Sequence, residues 1–338
     1  MKFISLKVLS LISILSLSFT GFSTSSYAES NSTVTNMDHL PYNLIEDVEV
    51  MDYQVQENNI VTETEDFTSN INLDKNEITY TDSEDNSVAI SIDDPDLKFV
   101  ENVDGTIVYE NEEEGYSVDS QILDGGFRQM FRIESESSPK TFKIDLKLDE
   151  DSKLVEKNGL YFVENSEGEI IFNIGKAWAT DSEGNFIESS FKQEGDSLYQ
   201  TINYTGTSYP LTADPLFCSD TIDNTATKWN SSYDGGKGTL SVVTRTCTKT
   251  YITAHWVLGP SVLTAISQSS LMKDMWAELK ADASFKSHVS SSREGRIKDQ
   301  FICHAVNPLT IYKSPWNLEP WRPDLSLSST YYNKCNPT

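Results

Sequence analysis

From about Val48 to Asp214 apolar and polar residues alternate in short runs, the two-residue period of strands that bury one face. Phe142-Lys143-Ile144-Asp145-Leu146-Lys147-Leu148 is the clearest case: Phe, Ile, Leu and Leu fall on one side and the charges on the other. Leu160 to Val163 and Glu169 to Ile174 flank Asn165-Ser166-Glu167-Gly168, a spacing that predicts a hairpin with a glycine in its loop. Asn102-Val103-Asp104-Gly105 and Asp181-Ser182-Glu183-Gly184 predict further turns. Strands repeating every ~8–12 residues, with no helical period between them, predict an antiparallel sandwich or an extended β-sheet.

The pattern changes near Leu216. Leu240 to Arg245 and Tyr251 to Leu258 read as strands separated by Cys247, the second ended by Gly259-Pro260. Leu271, Met272, Met275, Trp276 and Leu279 then recur at helical spacing, with Ser269 or Ser270 placed to cap the helix. A second helix is expected from Ser292 to Ala305, with Ile297 and Phe301 inward and Gly295 weakening it. The proline-rich tail after Asn307 is expected to be irregular and packed by its aromatics. The fold class expected is a mainly β N-terminal domain, residues 46–215, followed by a small disulfide-bonded α+β domain, residues 216–338.

The first residues carry an export signal. Lys2 and Lys7 form a basic start, Val8 to Phe19 an apolar stretch, and Ser26-Tyr27-Ala28 a small-x-small site that places cleavage before Glu29. The apolar stretch falls short of the ~20 residues that span a bilayer, so no stable membrane anchor is expected. Residues 1–28 are read as a signal peptide and 29–45 as a flexible leader. The mature chain is expected to be secreted, extracellular or loosely associated with the cell wall.

Charge divides the chain at the same boundary as the pattern. Residues 216–338 hold 13 Lys and Arg against 10 Asp and Glu; the whole chain holds 26 against 52, which leaves 13 against 42 in residues 1–215. So acidic a field repels nucleic acid, so no nucleic-acid partner is expected for the N-terminal domain. A contact between that domain and the C-terminal one is a candidate intramolecular pairing. All four cysteines, Cys218, Cys247, Cys303 and Cys335, lie in the last third. In an exported chain they are expected to form two disulfides. Of three pairings, Cys218–Cys247 and Cys303–Cys335 are favoured, because each closes a loop of roughly 30 residues within one segment. Zinc would need a close Cys pair such as C-x-x-C, which is missing, and the acidic turns do not match the calcium-loop spacing. No metal and no cofactor are expected.

Two stretches resemble known modules. Glu167-Gly168-Glu169-Ile170-Ile171-Phe172, Ala177-Trp178-Ala179-Thr180-Asp181-Ser182-Glu183-Gly184 and Tyr209-Pro210-Leu211-Thr212-Ala213-Asp214-Pro215 resemble a β-rich module of secreted bacterial proteins. That module often precedes repeat arrays or C-terminal effectors, which implies a presenting role for residues 141–215. Gln300-Phe301-Ile302-Cys303-His304, the run Trp316-Asn317-Leu318-Glu319-Pro320-Trp321-Arg322-Pro323 and Cys335-Asn336-Pro337 resemble the signature of a secreted bacterial family catalogued as a domain of unknown function. Trp276-Ala277-Glu278-Leu279-Lys280 resembles its helix. This second resemblance implies an exported domain and no particular activity.

The candidate chemistry is concentrated in that last run. Trp316 and Trp321, stiffened by Pro315, Pro320 and Pro323, offer stacking surfaces for sugars or peptides, or plugs for a small core. His304, Glu319 and Arg322 supply a base, an acid and a cation, the components of a general acid–base hydrolase. No H-E-x-x-H, G-x-S-x-G or phosphate loop accompanies them. The leading expectation is an extracellular binding protein whose C-terminal domain recognises a cell-wall glycan or a protein. The alternative is a secreted toxin-like effector whose C-terminal domain is a small hydrolase.

Overall fold

The computed structural model describes residues 50–157, 160–219, 222–257, 270–307, 310–311 and 313–336. The expected signal peptide and leader, and the Gly259-Pro260 stop, lie outside these residues. Among the described residues eighteen antiparallel strands join in one large sheet region.

Two sets of strands build it. In the first, Gln54–Gln56, Asn59–Glu63, Phe67–Asn72, Glu77–Asp82 and Ser87–Ile92 follow one another as hairpins. Ser87–Ile92 pairs with Thr141–Leu148, which pairs with Ser197–Asn203. In the second, Lys98–Val103, Thr106–Asn111, Tyr116–Leu123 and Gly126–Ile133 form a meander. Gly126–Ile133 then pairs with both Leu211–Asp214 and Leu216–Cys218. Phe186–Glu194 pairs at its start with Trp178–Thr180 and along the rest with Ser197–Asn203, so it joins the two sets.

The alternation foreseen at 142–148 has the expected consequence: Phe142, Ile144 and Leu146 are buried. Rings from the two sets meet in one core, Phe131 stacked on Phe142 at 4.3 Å and Tyr80 edge-on to Phe172 at 5.1 Å.

Three turns share one construction. In Asp82-Ser83-Glu84-Asp85-Asn86, Asp82 Oδ1 accepts the N–H of Glu84 and of Asn86, both at 2.9 Å. Asn165 Oδ1 accepts from Glu167 and Glu169 at 3.0 and 2.9 Å, and Asp181 Oδ1 from Glu183 and Asn185 at 3.0 and 2.8 Å. The fourth residue of each has positive φ (Asp85 65°, Gly168 80°, Gly184 80°), which glycine adopts without steric cost. The Asp or Asn that opens each turn serves the turn's own backbone.

The C-terminal region grows out of this sheet. Leu216–Cys218 is still hydrogen-bonded to Gly126–Ile133 and Ile170–Ile174. Beyond it Ile222–Asn230, Thr239–Thr244 and Trp316–Leu318 form a separate three-stranded sheet. Around it lie helices α1 (Thr246–Val257), α2 (Ser270–Ala281), α3 (Ala283–His288), α4 (Glu294–Val306) and α5 (Leu327–Tyr332). Met272, Met275, Trp276 and Leu279 of α2 are buried, as are Ile297 and Phe301 of α4, and they close a second core.

Two expectations need correction. Tyr251 to Val257 is helix α1 rather than strand. Its Thr, Ile, Tyr and Val content favours strands by propensity, but propensity yields to tertiary anchoring. Here Cys247 N–H bonds Asp124 O at 3.0 Å and Ile252 is buried in the second core. The tail after Asn307 is not wholly irregular, since it contains the strand Trp316–Leu318 and helix α5.

The sheet meets the C-terminal region through apolar packing of Leu123 and Leu216 and through specific polar contacts. Arg245, whose side chain is 8% exposed, pairs with Asp66 at 2.6 Å and Asp124 at 2.9 Å. Ser219 Oγ donates to Tyr80 Oη at 2.6 Å.

Candidate functional site

The four cysteines pair as Cys218–Cys247 and Cys303–Cys335. The first ties the large sheet to the start of α1. The second ties α4 to the turn after α5, fixing both sides of the Trp316–Pro323 run. Disulfides of this kind are consistent with an extracellular protein. No helix among the described residues is long and apolar enough to cross a membrane.

Trp316 faces inward. Its strand pairs in register with Leu240–Val242, its Nε1 donates to Ile311 O at 3.3 Å, and its side chain is fully buried. Phe301 meets it edge-on at 5.6 Å and His304 stacks on it at 5.9 Å. His304 is 4% exposed. Burial, which disfavours the charged imidazolium, pushes its pKa down to about 4; the Asn336 side chain and the Asn317 backbone oppose this in part. At neutral pH the ring is uncharged. Asn336 itself closes the tail, its amide donating to the Cys335 and Asn317 carbonyls at 3.0 and 3.1 Å.

Glu319 and Arg322 are brought together in a turn beyond that strand. The Glu319 carboxylate is fully buried and accepts from Arg322 Nε, while Arg322 N–H donates to Glu319 O at 3.1 Å. Gln300 of α4 clamps the same residue from both sides, its Oε1 accepting Glu319 N–H at 2.8 Å and its Nε2 donating to Glu319 O at 3.1 Å. Arg296 Nη1 donates to Arg322 O at 2.8 Å. Tyr233 faces the pair; burial raises the pKa of its hydroxyl, and Glu319 raises it further. A carboxylate so enclosed, with its cation attached, positions the loop. No hydrogen bond links His304 to Glu319 or Arg322 among the described residues.

What the turn presents outward is Trp321. The ring is half-buried, and its Nε1 donates to Gly238 O at 2.9 Å. Lys237 Nζ and Arg322 Cζ each lie 4.3 Å from its centroid, within cation–π range. Gly238 adopts φ +79°, and a Cβ there would come within 2.1 Å of the Trp229 ring. Glycine thus lets Trp229 lie against the backbone on which Trp321 is hung. Trp229 stacks on the exposed His288 at 4.6 Å, nearly parallel. Trp321, Lys237 and Arg322 thus make one face of ring and cations on a fixed loop, and the Trp229–His288 stack meets that loop at Gly238.

Of the residues singled out by sequence, Trp321 and Arg322 lie at this face with Glu319 buried beneath them, whereas Trp316 and His304 stack together inside the core. Tyr233, Lys237, Gly238, Arg296 and Gln300 were not foreseen. The run Gly235-Gly236-Lys237-Gly238 carried a signal of unusual backbone, and Asp234, Gly235, Gly236 and Gly238 all have positive φ.

Residues 225–338 match the family described as protein of unknown function (DUF2599). The match takes in the whole of the face described above. No curated protein matches the chain.

Proposed function

We propose that this is an exported binding protein whose C-terminal region recognises a cell-wall glycan through the face around Trp321. The observation that carries this reading is the fixing of a half-exposed tryptophan beneath two cations. Trp321 is held by a backbone carbonyl, its neighbour Arg322 by a buried carboxylate, and that carboxylate's backbone by Gln300. Aromatic and cationic groups held in advance lose little freedom when a ligand arrives, so more of the contact energy appears as affinity. Lys237, paired with Asp234 at 3.0 Å, and Arg322, paired with Glu319, hold the ring in place, and the ring supplies apolar contact to sugar faces. The large sheet supports the presentation of this face, because the C-terminal region emerges from one of its hydrogen-bonded strands.

Co-sedimentation of the full chain with isolated bacterial cell walls tests the reading. Trp321→Ala should weaken binding by about tenfold or more, the loss typical of a central aromatic contact. Phe186→Ala, on an exposed strand of the large sheet, should leave it unchanged. Equal binding by Trp321→Ala and the unaltered chain would remove the proposal's basis.

A further inference from the structure

We infer a second binding site, for a neutral hydroxyl-bearing ligand of the carbohydrate class, in the cleft where the large sheet meets helix α2. The cleft measures about 790 Å³, within the ~300–1,000 Å³ typical of small-molecule sites. Two of the turns closed by their opening side chain, at Asp82 and Asn165, form one wall; Lys273, Ala277 and Glu278 of α2 form the other. The site goes beyond the Trp321 reading and shares no residue with that face.

The floor decides the ligand's chemistry. Asn173 lies on the strand Ile170–Ile174, where Phe172 and Ile174 face the sheet core. Alternation therefore turns Asn173 to the opposite side, toward the C-terminal region. It is 3% exposed, and its Oδ1 has no hydrogen-bond partner. Buried polar atoms in native proteins are nearly always bonded, so an unanswered acceptor on the floor of a cleft calls for a donor from outside.

The charges around it do not favour an ionic ligand. Arg245 is held by Asp66 and Asp124, Lys157 by Glu164, Asp82 accepts from its own turn, Glu169 accepts from Asn165, Glu278 accepts from Ile222 N–H, and Glu84 and Lys273 bring opposite charges. An ion entering the cleft would be desolvated without a free counter-charge on the floor. Ile170, Ile171 and Ile222 supply apolar wall between the polar groups. Apolar contact combined with a neutral acceptor suits a sugar's C–H faces and O–H donors.

The test uses the full chain with chitotriose and maltotriose as probes, followed by saturation-transfer NMR and calorimetry. At least one trisaccharide should bind saturably at concentrations up to about 10 mM. Asn173→Ala should weaken that binding about tenfold, the equivalent of one hydrogen bond. Ala277→Trp, a change at an exposed helix position that fills the cleft, should abolish it while the fold is retained. Trp321→Ala should leave it intact, which separates this site from the wall-binding face. Lack of saturable binding by both sugars, binding indifferent to both cleft variants, or binding abolished by Trp321→Ala would each overturn the inference.

Discussion

Arg245 reaches back across 179 residues of sequence to hold Asp66 at 2.6 Å. Asp66 immediately precedes a strand of the large sheet, and Arg245 lies between the strand Thr239–Thr244 and helix α1 of the C-terminal region. With Asp124 as second partner, the guanidinium sits among groups that the hydrophobic pattern alone would not bring together.

Replacing it tests how much this junction contributes. Arg245→Met keeps most of the packing and removes the charge, leaving two partly hydrated carboxylates. The expected loss is about 1–3 kcal/mol, the range for hydrogen bonds to charged groups. It should appear as a lower urea midpoint at unchanged slope. Adding Asp66→Asn to Arg245→Met should cost little more, because the partners act as one unit.

His304 makes stability depend on pH in a stated direction. Its folded pKa of about 4 lies below the ordinary 6.5. Above pH 6.5 the ring is neutral in both states. As pH falls from 6.5 toward 4 the unfolded chain gains a proton that the folded chain refuses, so stability declines by on the order of 3 kcal/mol, then levels off. Asp214 acts in the opposite sense: burial raises its carboxyl to about 7, with Arg128 opposing. Between pH 7 and 3.8 its proton is retained by the folded chain, which gains stability as pH falls. The comparison is therefore made in an Asp214→Asn background, where His304→Gln should flatten the decline measured by chemical denaturation between pH 7 and 4. An unchanged slope would mean that His304 is not the group responsible.

The two tryptophans of the signature run separate stability from recognition. Trp316→Ala empties the centre of the small core and should cost about 3–5 kcal/mol. Trp321→Ala removes a half-buried ring and one hydrogen bond, for about 1–2 kcal/mol. Denaturation midpoints should rank the variants in that order, and the wall-binding assay should rank Trp321→Ala as the defective binder among those that fold.

Much of the large sheet could be read from local pattern. The alternation of 142–148 places Phe142, Ile144 and Leu146 in the core, and the Asn165 and Asp181 turns advertise themselves through side chains that bond their own backbone. Local rules reached no further where distant residues decide. Tyr251 to Val257 carries strand-forming residues yet follows a disulfide-anchored Cys247 into a helix. Trp316–Leu318 becomes a strand through its pairing with Leu240–Val242, far upstream. The site was legible in part for the same reason: Trp321, Glu319 and Arg322 are neighbours in sequence. Tyr233, Lys237 and Gly238 reach them only through folding, and the burial of Glu319 depends on Gln300 from another helix.

Cys218 lies in a strand of the large sheet, seven residues before the family match begins at 225. The segment recognisable by descent and the segment that is covalently complete are therefore different lengths of chain. A fragment starting at residue 225 would carry Cys247 as a reactive thiol, open to mispairing between molecules. It would also lack Leu123, Leu216 and Ile222, which belong to the second core. The C-terminal region behaves as a graft whose rootstock is the sheet: transplanting it intact requires taking the strand it grew from.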